Sequence, residues 1–151
     1  MSSISIILVT YNSAAWIPGL IQSVKTQTQI PQHLVIVDNA SSDDTVQQIL
    51  NATAQAEIIQ NETNVWFSKG MNQALAKVKS EFVLFLNPDA LLTPESLSVL
   101  GQAINTRLNI GAVTGKVMRH GKKLARFGVA APSARQFYTR GEGEEDTHQY
   151  D

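Results

Sequence analysis

Leu34-Val35-Ile36-Val37-Asp38-Asn39-Ala40-Ser41-Ser42-Asp43-Asp44 is the stretch that decides the fold. Four consecutive apolar residues, three of them β-branched, read as a short strand covered on both faces. The run ends abruptly in small polar residues of the kind that bond their own backbone in turns and helix caps. Val46, Ile49 and Leu50 follow at helical spacing, so a helix is expected from Ser42 or Asp43 with these three facing inward. Strand, polar turn and helix make one βα unit, and repetition of that unit builds a parallel sheet.

The unit repeats in both directions. Upstream, Ile4 to Val9 is a nearly unbroken apolar run and is expected to be the first strand. Trp16, Ile17, Leu20, Ile21 and Val24 then form one apolar helical stripe, with Ser13 as the expected N-cap and Pro18 tolerated in the first turn. Downstream, Glu57 to Gln60 is expected as a third strand, and Met71, Ala74, Leu75 and Val78 mark a helix capped by Ser68. Phe82 to Leu86 is the most strand-like segment and stops at Asn87-Pro88-Asp89. Thr93, Pro94 and Glu95 read as N-cap, first helical residue and first-turn acid of a helix carrying Leu97, Leu100, Ile104 and Leu108. Gly111 to Met118 is expected as a fifth strand. Past Gly121 the periodicity fails, and residues 132–151 are poor in core side chains. The expected division is therefore a folded domain over 1–131 and an acidic, mobile tail over 132–151, or the start of a further region. The fold class is α/β, a mostly parallel twisted sheet flanked by helices.

Composition narrows the function classes. The chain has 151 residues, 43% of them apolar and 17% charged, which suits one ordinary globular domain. There is no cysteine, so a disulfide framework, a thiolate zinc site and a cysteine nucleophile are excluded. No apolar run approaches the ~20 residues that span a bilayer, and Met1-Ser2-Ser3 has no basic n-region, so neither a transmembrane helix nor a signal peptide is expected. A net charge of −1 argues against a dedicated nucleic-acid surface. The charges are uneven, however. Lys116, Arg119, Lys122, Lys123 and Arg126 form an acid-free stretch, while Glu142, Glu144, Glu145, Asp146 and Asp151 crowd the end. Two solvated surfaces explain this, and a basic loop facing a phosphate or an anionic lipid surface is the alternative. His33, His120 and His148 match no metal-ligand spacing and read as surface residues.

In an open parallel sheet, ligands bind beyond the carboxyl ends of the strands. Three polar clusters occupy such ends: Thr10-Tyr11-Asn12-Ser13, Asp38 to Ser42, and Asn87-Pro88-Asp89. Capping alone explains Asn12-Ser13 and Ser41-Ser42. Asp38 is different, because it directly follows the apolar run and stands too early to cap the next helix; a carboxylate there suits a ribose hydroxyl or a base N–H. Asn87 and Asp89, held by Pro88, present oxygen ligands suited to a hard cation.

Taken with Asn64-Val65-Trp66-Phe67-Ser68-Lys69-Gly70-Met71-Asn72, these blocks resemble, in order and spacing, the family 2 glycosyltransferases, and among them a rhamnosyltransferase-like branch. The resemblance implies a GT-A-like nucleotide-sugar fold. It assigns Thr10, Tyr11 and Asn12 to the base and ribose pocket and Asp38 to the base or ribose. Asn87 and Asp89 stand where an Asp-x-Asp motif binds the ribose and a divalent ion, so Asp89 is the implied ligand of Mg²⁺ or Mn²⁺. Asn72 is a further donor-site candidate. Lys69, at a helix start, is a candidate for the diphosphate or else a solvated helix lysine. Trp66 replaces the usual glycine, which calls the local backbone into question, since Gly takes φ > 0 and Trp rarely does. Trp16 and Trp66 read as core or pocket-wall packing.

Inverting transfer also needs a general base for the acceptor hydroxyl. The resemblance implies that this carboxylate lies in a later portion of longer proteins. Within this chain only Glu145 and Asp146 are candidates, and a solvated acidic tail explains them better. The expected function is transfer of a sugar from a dTDP- or UDP-linked donor to a glycan or lipid-linked acceptor, in the cytoplasm or at the inner face of the membrane. The alternative is a truncated nucleotide-binding module without turnover. A receiver-like signalling domain would need an acidic cluster beside the first strand, which Thr10-Tyr11-Asn12 does not supply.

Overall fold

The computed structural model describes residues 2–106, 110–119, 123–130, 138–140, 144–145 and 147. The chain divides into two compact units, residues 1–101 and 102–151.

The first unit holds four strands, β1 (Ile4–Thr10), β2 (Leu34–Asp38), β3 (Ala56–Gln60) and β4 (Phe82–Phe85), all parallel in the order β3-β2-β1-β4. The register sets Thr10 against Asp38 and Asp38 against Gln60, and it sets Ile7 against Phe85. Three helices cover the sheet: α1 (Ile17–Lys25), α2 (Thr45–Ala52) and α3 (Trp66–Leu75), with α4 (Ser96–Ile104) following β4.

Strand alternation explains the layers. Ile4, Ile6 and Leu8 of β1, with Leu34 and Ile36 of β2, bury themselves against Ile17, Leu20, Ile21 and Val24 of α1, Ile49 of α2 and Leu97 of α4. The intervening Ile7, Val9, Val35 and Val37 meet Met71 and Ala74 of α3 on the other face. This is why both central strands are apolar at nearly every position, each full burial being worth about 1.5–3 kcal/mol. Gly70 lets α3 lie close: a Cβ there would stand 2.8 Å from a Val9 methyl.

The helix starts differ from the sequence expectation. Ser13 does not cap α1; its N–H donates to Thr45 Oγ1 (2.7 Å), its Oγ bonds the Tyr11 carbonyl, and α1 begins only after a turn in which Trp16 N–H reaches Ser13 O. Ser68 does not cap α3, which starts two residues earlier, where Asn64 Oδ1 accepts the Trp66 N–H (2.8 Å). The α2 helix starts at Thr45, past Ser42 and Asp43. Thr93 closes a turn onto Ser96, and α4 starts there. At α1 the local cap lost to a tertiary partner, Thr45; at α3 it lost to another local side chain, Asn64. Trp16, Leu50 and Leu75, expected inward, are exposed, because each helix packs on one narrow face only.

In the second unit, residues 110–116 have no regular structure, so the expected strand from Gly111 shrinks to β5 (Val117–Arg119), consistent with the glycines at 111 and 115. An eight-residue strand not expected from the sequence, β6 (Lys123–Ala130), pairs antiparallel with β5 and with β7 (Tyr138–Arg140). Leu108 lies outside the described residues. No helix among those described is long and apolar enough to cross a membrane.

Candidate functional site

The carboxyl ends of β1 and β2 are tied into one polar lattice. Asp38 is only 2% exposed. Its Oδ1 accepts the Thr10 hydroxyl (2.8 Å) and the Ser41 hydroxyl (2.6 Å), and its Oδ2 accepts the Ser41 N–H (2.9 Å). Three donors fill three of the roughly four acceptor positions of a carboxylate, leaving one on Oδ2. The lattice continues outward: Asn12 N–H donates to Ser41 Oγ (2.9 Å), and Asn12 Oδ1 accepts the Ser42 N–H (2.8 Å). Asp43 accepts Ala14 N–H (3.0 Å) and the Thr45 hydroxyl and N–H. The Thr45 hydroxyl bond, ahead of the backbone bonds, holds the Asp43 carboxyl below the usual carboxylate range.

A second lattice lies between β2, β3 and α3. Asn39, buried beside Asp38, donates its N–H to the Thr10 carbonyl (2.9 Å) and its amide to the Trp66 carbonyl (3.3 Å). Asn61 donates to Asn39 Oδ1 (3.0 Å) and exchanges amide bonds with Gln73 of α3 (3.0 and 2.9 Å). Three residues on this rim take positive φ, namely Asn12 (49°), Ala40 (60°) and Trp66 (67°). Asn tolerates that region; Ala and Trp do so only when their surroundings fix them there.

The third strand end differs in character. The Leu86 N–H still reaches the Ile7 carbonyl (3.1 Å), so Asn87 leaves the sheet beside β1. Asn87 and Asp89 are exposed, and the Ala90 N–H closes a turn onto the Asn87 carbonyl (3.1 Å). Two outward oxygen-bearing side chains make a sparse donor set, which fits a hard cation that draws its remaining ligands from phosphate and water. No group of three His, Cys, Asp or Glu side chains suited to a metal occurs among the described residues.

Of the residues singled out from the sequence, Thr10, Asn12 and Asp38 are thus joined by hydrogen bonds through Ser41 and Ser42, and Asn87 and Asp89 occupy the same rim on the other side of β1. Tyr11 is 53% exposed. Lys69 is exposed in the first turn of α3, and Asn72 is exposed one turn further along that helix. Glu145 is exposed in the second unit, while Asp146, His120 and His148 lie outside the described residues. Sequence reasoning missed the structural weight of Ser41, Asn39, Asn61 and Gln73. Asp38-x-x-Ser41 has the spacing of a side chain closing its own turn, and that signal was available. The Asn39–Asn61–Gln73 chain joins three elements distant in sequence and left none.

Residues 5–148 match the family model for glycosyl transferase family 2. The chain belongs to that family. This glycosyltransferase chain is 30% identical over 121 residues to the O-antigen chain rhamnosyltransferase RfbN of Salmonella typhimurium, an alignment covering 78% of it and 38% of that protein. A crystal structure of S. aureus TarS 1-349 in complex with UDP-GlcNAc superposes with a TM-score of 0.63 at 28% identity, covering 76% of this chain and 37% of that one. The fold is also that of glucosyl-3-phosphoglycerate synthase from Mycobacterium tuberculosis in complex with Mn²⁺, uridine-diphosphate and glucosyl-3-phosphoglycerate (TM-score 0.54, 22% identity, 69% and 40% covered). The expected GT-A-like α/β architecture is therefore the observed one. The chain spans well under half the length of the relatives it matches.

Proposed function

We propose that this chain is the donor-binding part of an inverting family 2 glycosyltransferase, which transfers a sugar from a nucleoside-diphosphate donor to a glycan or lipid-linked acceptor. The observation that carries the reading is the shared rim. A buried, hydrogen-bonded Asp38 and an exposed Asn87-Pro88-Asp89 turn flank the same central strand, at the place where a parallel sheet binds ligands. UDP-GlcNAc bound to TarS supports a nucleotide-sugar donor for a chain of this fold.

In this reading Thr10, Tyr11, Asn12 and Asp38 form the base and ribose side, Asp38 offering the one acceptor position left on Oδ2. Asn87 and Asp89 hold the divalent cation, Mg²⁺ or Mn²⁺, which when bound neutralises charge on the departing diphosphate. Lys69 and Asn72 stand beside the diphosphate at the start of α3, whose positive dipole end favours anions. In the reaction the acceptor oxygen bonds to the anomeric carbon, the bond from that carbon to the diphosphate oxygen breaks, and the acceptor proton passes to a base. Glu145 and Asp146 are the candidates for that base within the chain. The acid-free basic stretch of Lys116, Arg119, Lys122, Lys123 and Arg126 supports contact with an anionic lipid surface.

Calorimetric titration of the chain with UDP and dTDP, with and without Mn²⁺, tests the reading. Binding of one nucleotide that needs the metal and disappears in Asp89→Ala is the expected result; absence of binding to the folded chain overturns it. The second reading is a nucleotide-binding module without turnover. Release of free sugar from the donor, or its transfer to an acceptor, would exclude that second reading.

A further inference from the structure

Trp66 is the most anomalous side chain of the first unit. It is a large aromatic residue in the left-handed region, φ 67°, where L side chains are rarely found. The conformation is fixed from both sides, by Asn64 Oδ1 on its N–H (2.8 Å) and by the Asn39 amide on its carbonyl (3.3 Å). Asn39 is itself buried and anchored through Asn61 to Gln73. An amide lattice therefore holds a strained backbone in place, as happens where strain serves a site rather than the fold. Packing does not account for it, because the Trp66 side chain is 78% exposed.

The location narrows what the indole meets. Its anchor, Asn39, directly follows Asp38 and bonds the Thr10 carbonyl, so Trp66 stands at the β1–β2 end of the rim and not at the Asp89 end. At that end hydrogen-bonding capacity is scarce, since Asp38 has given three of its acceptor positions to Thr10 and Ser41. A planar ring bound there meets exposed aromatic faces, Tyr11 and above all Trp66.

Resting on the donor-site reading above, we propose that Trp66 is a stacking wall of the nucleobase subsite, so that this chain holds its donor's base chiefly by an aromatic face. Stacking of this kind tolerates different bases, because every base has a π face. The amide lattice through Asn39 then serves to aim the indole before the nucleotide arrives.

The test titrates the 151-residue chain, with Mn²⁺ present, against UDP, GDP and ribose 5-diphosphate, the last carrying the same diphosphate without a base. Trp66→Leu keeps an apolar side chain and the same backbone demand but has no π face; Trp66→Gly removes both side chain and strain. Both variants are expected to bind UDP and GDP about 5- to 50-fold more weakly, with ribose 5-diphosphate unchanged and Trp66→Phe within about threefold of the parent. In a Trp16→Phe background, UDP is expected to quench the remaining indole fluorescence. Parent-like UDP binding by Trp66→Leu and Trp66→Gly overturns the stacking role and leaves the donor site standing. Equal loss of UDP and ribose 5-diphosphate also overturns it, by assigning Trp66 to the loop's shape. Failure of the parent to bind any of the three defeats the donor-site reading, and this inference with it.

Discussion

The two sides of β1 carry the same kind of residue to opposite ends. On the β2 side, Asp38 is buried and accepts three hydrogen bonds; on the β4 side, Asp89 is exposed at the tip of a turn. A carboxylate bound into the protein is part of the scaffold, and its removal leaves buried donors without acceptors. A carboxylate facing solvent costs the fold little and is available to a ligand. The comparison separates residues that shape the site from residues that occupy it, a distinction that a motif reading of the two aspartates does not contain.

The strongest way to break this comparison is Asp38→Ala. It strands the hydroxyls of Thr10 and Ser41 and one N–H, and should cost about 3 kcal/mol, lowering Tm by roughly 10 °C in thermal denaturation. A wild-type Tm would mean that Asp38 is not scaffold. Asp89→Ala should do the converse. Its Tm is expected within about 2 °C of the parent, while metal-dependent nucleotide affinity falls at least about tenfold, or 1.4 kcal/mol. Destabilisation by this change would erase the contrast.

Ser5 supplies a smaller test inside β1. Its hydroxyl is buried without a hydrogen-bond partner, facing the α3 layer, so Ser5→Ala should stabilise the chain by about 1 kcal/mol in urea unfolding. A loss of stability would show that the hydroxyl is satisfied after all. The smallest effect concerns pH. The Asp43 carboxyl, held low chiefly by the Thr45 hydroxyl, sits below its unfolded value of 3.8. Its contribution to stability is therefore fully present above that value and is lost as pH falls through the folded pKa. Asp43→Asn should flatten the acid limb of a Tm-against-pH curve below about pH 4 and leave it unchanged near neutrality.

Much of the first unit was legible because it obeys single-element rules. Apolar, mostly branched runs at Ile4–Val9, broken only by Ser5, and at Leu34–Val37 gave both central strands, and the Ile17–Val24 stripe gave the buried face of α1. The helix starts were not legible, since Ser13 and Ser68 look like caps and the chain closes those turns through Thr45 and Asn64 instead. The clusters of the rim were legible as polar strand ends, yet their division into bonded and free was not, because Ser41 and Asn39 acquire their partners only when the chain is folded. Trp66 lay at the limit. Its position was marked by the missing glycine, but the amide lattice that sustains φ 67° joins residues 39, 61 and 73, and spacing does not reveal it.

The sheet order has a consequence for synthesis. The central strand β1 precedes both of its neighbours in the chain, pairing with β2 on one edge and with β4 on the other, where Ile4 meets Phe82. At roughly 5–20 residues per second on the ribosome, β1 waits several seconds after its own emergence before β4 exists to cover that second edge. Throughout that interval a strand that is buried at every position in the finished fold presents open backbone groups to any passing extended chain. Nascent-chain stability and yield in cells should therefore respond to chaperone supply more sharply than the finished unit's thermodynamic stability would suggest.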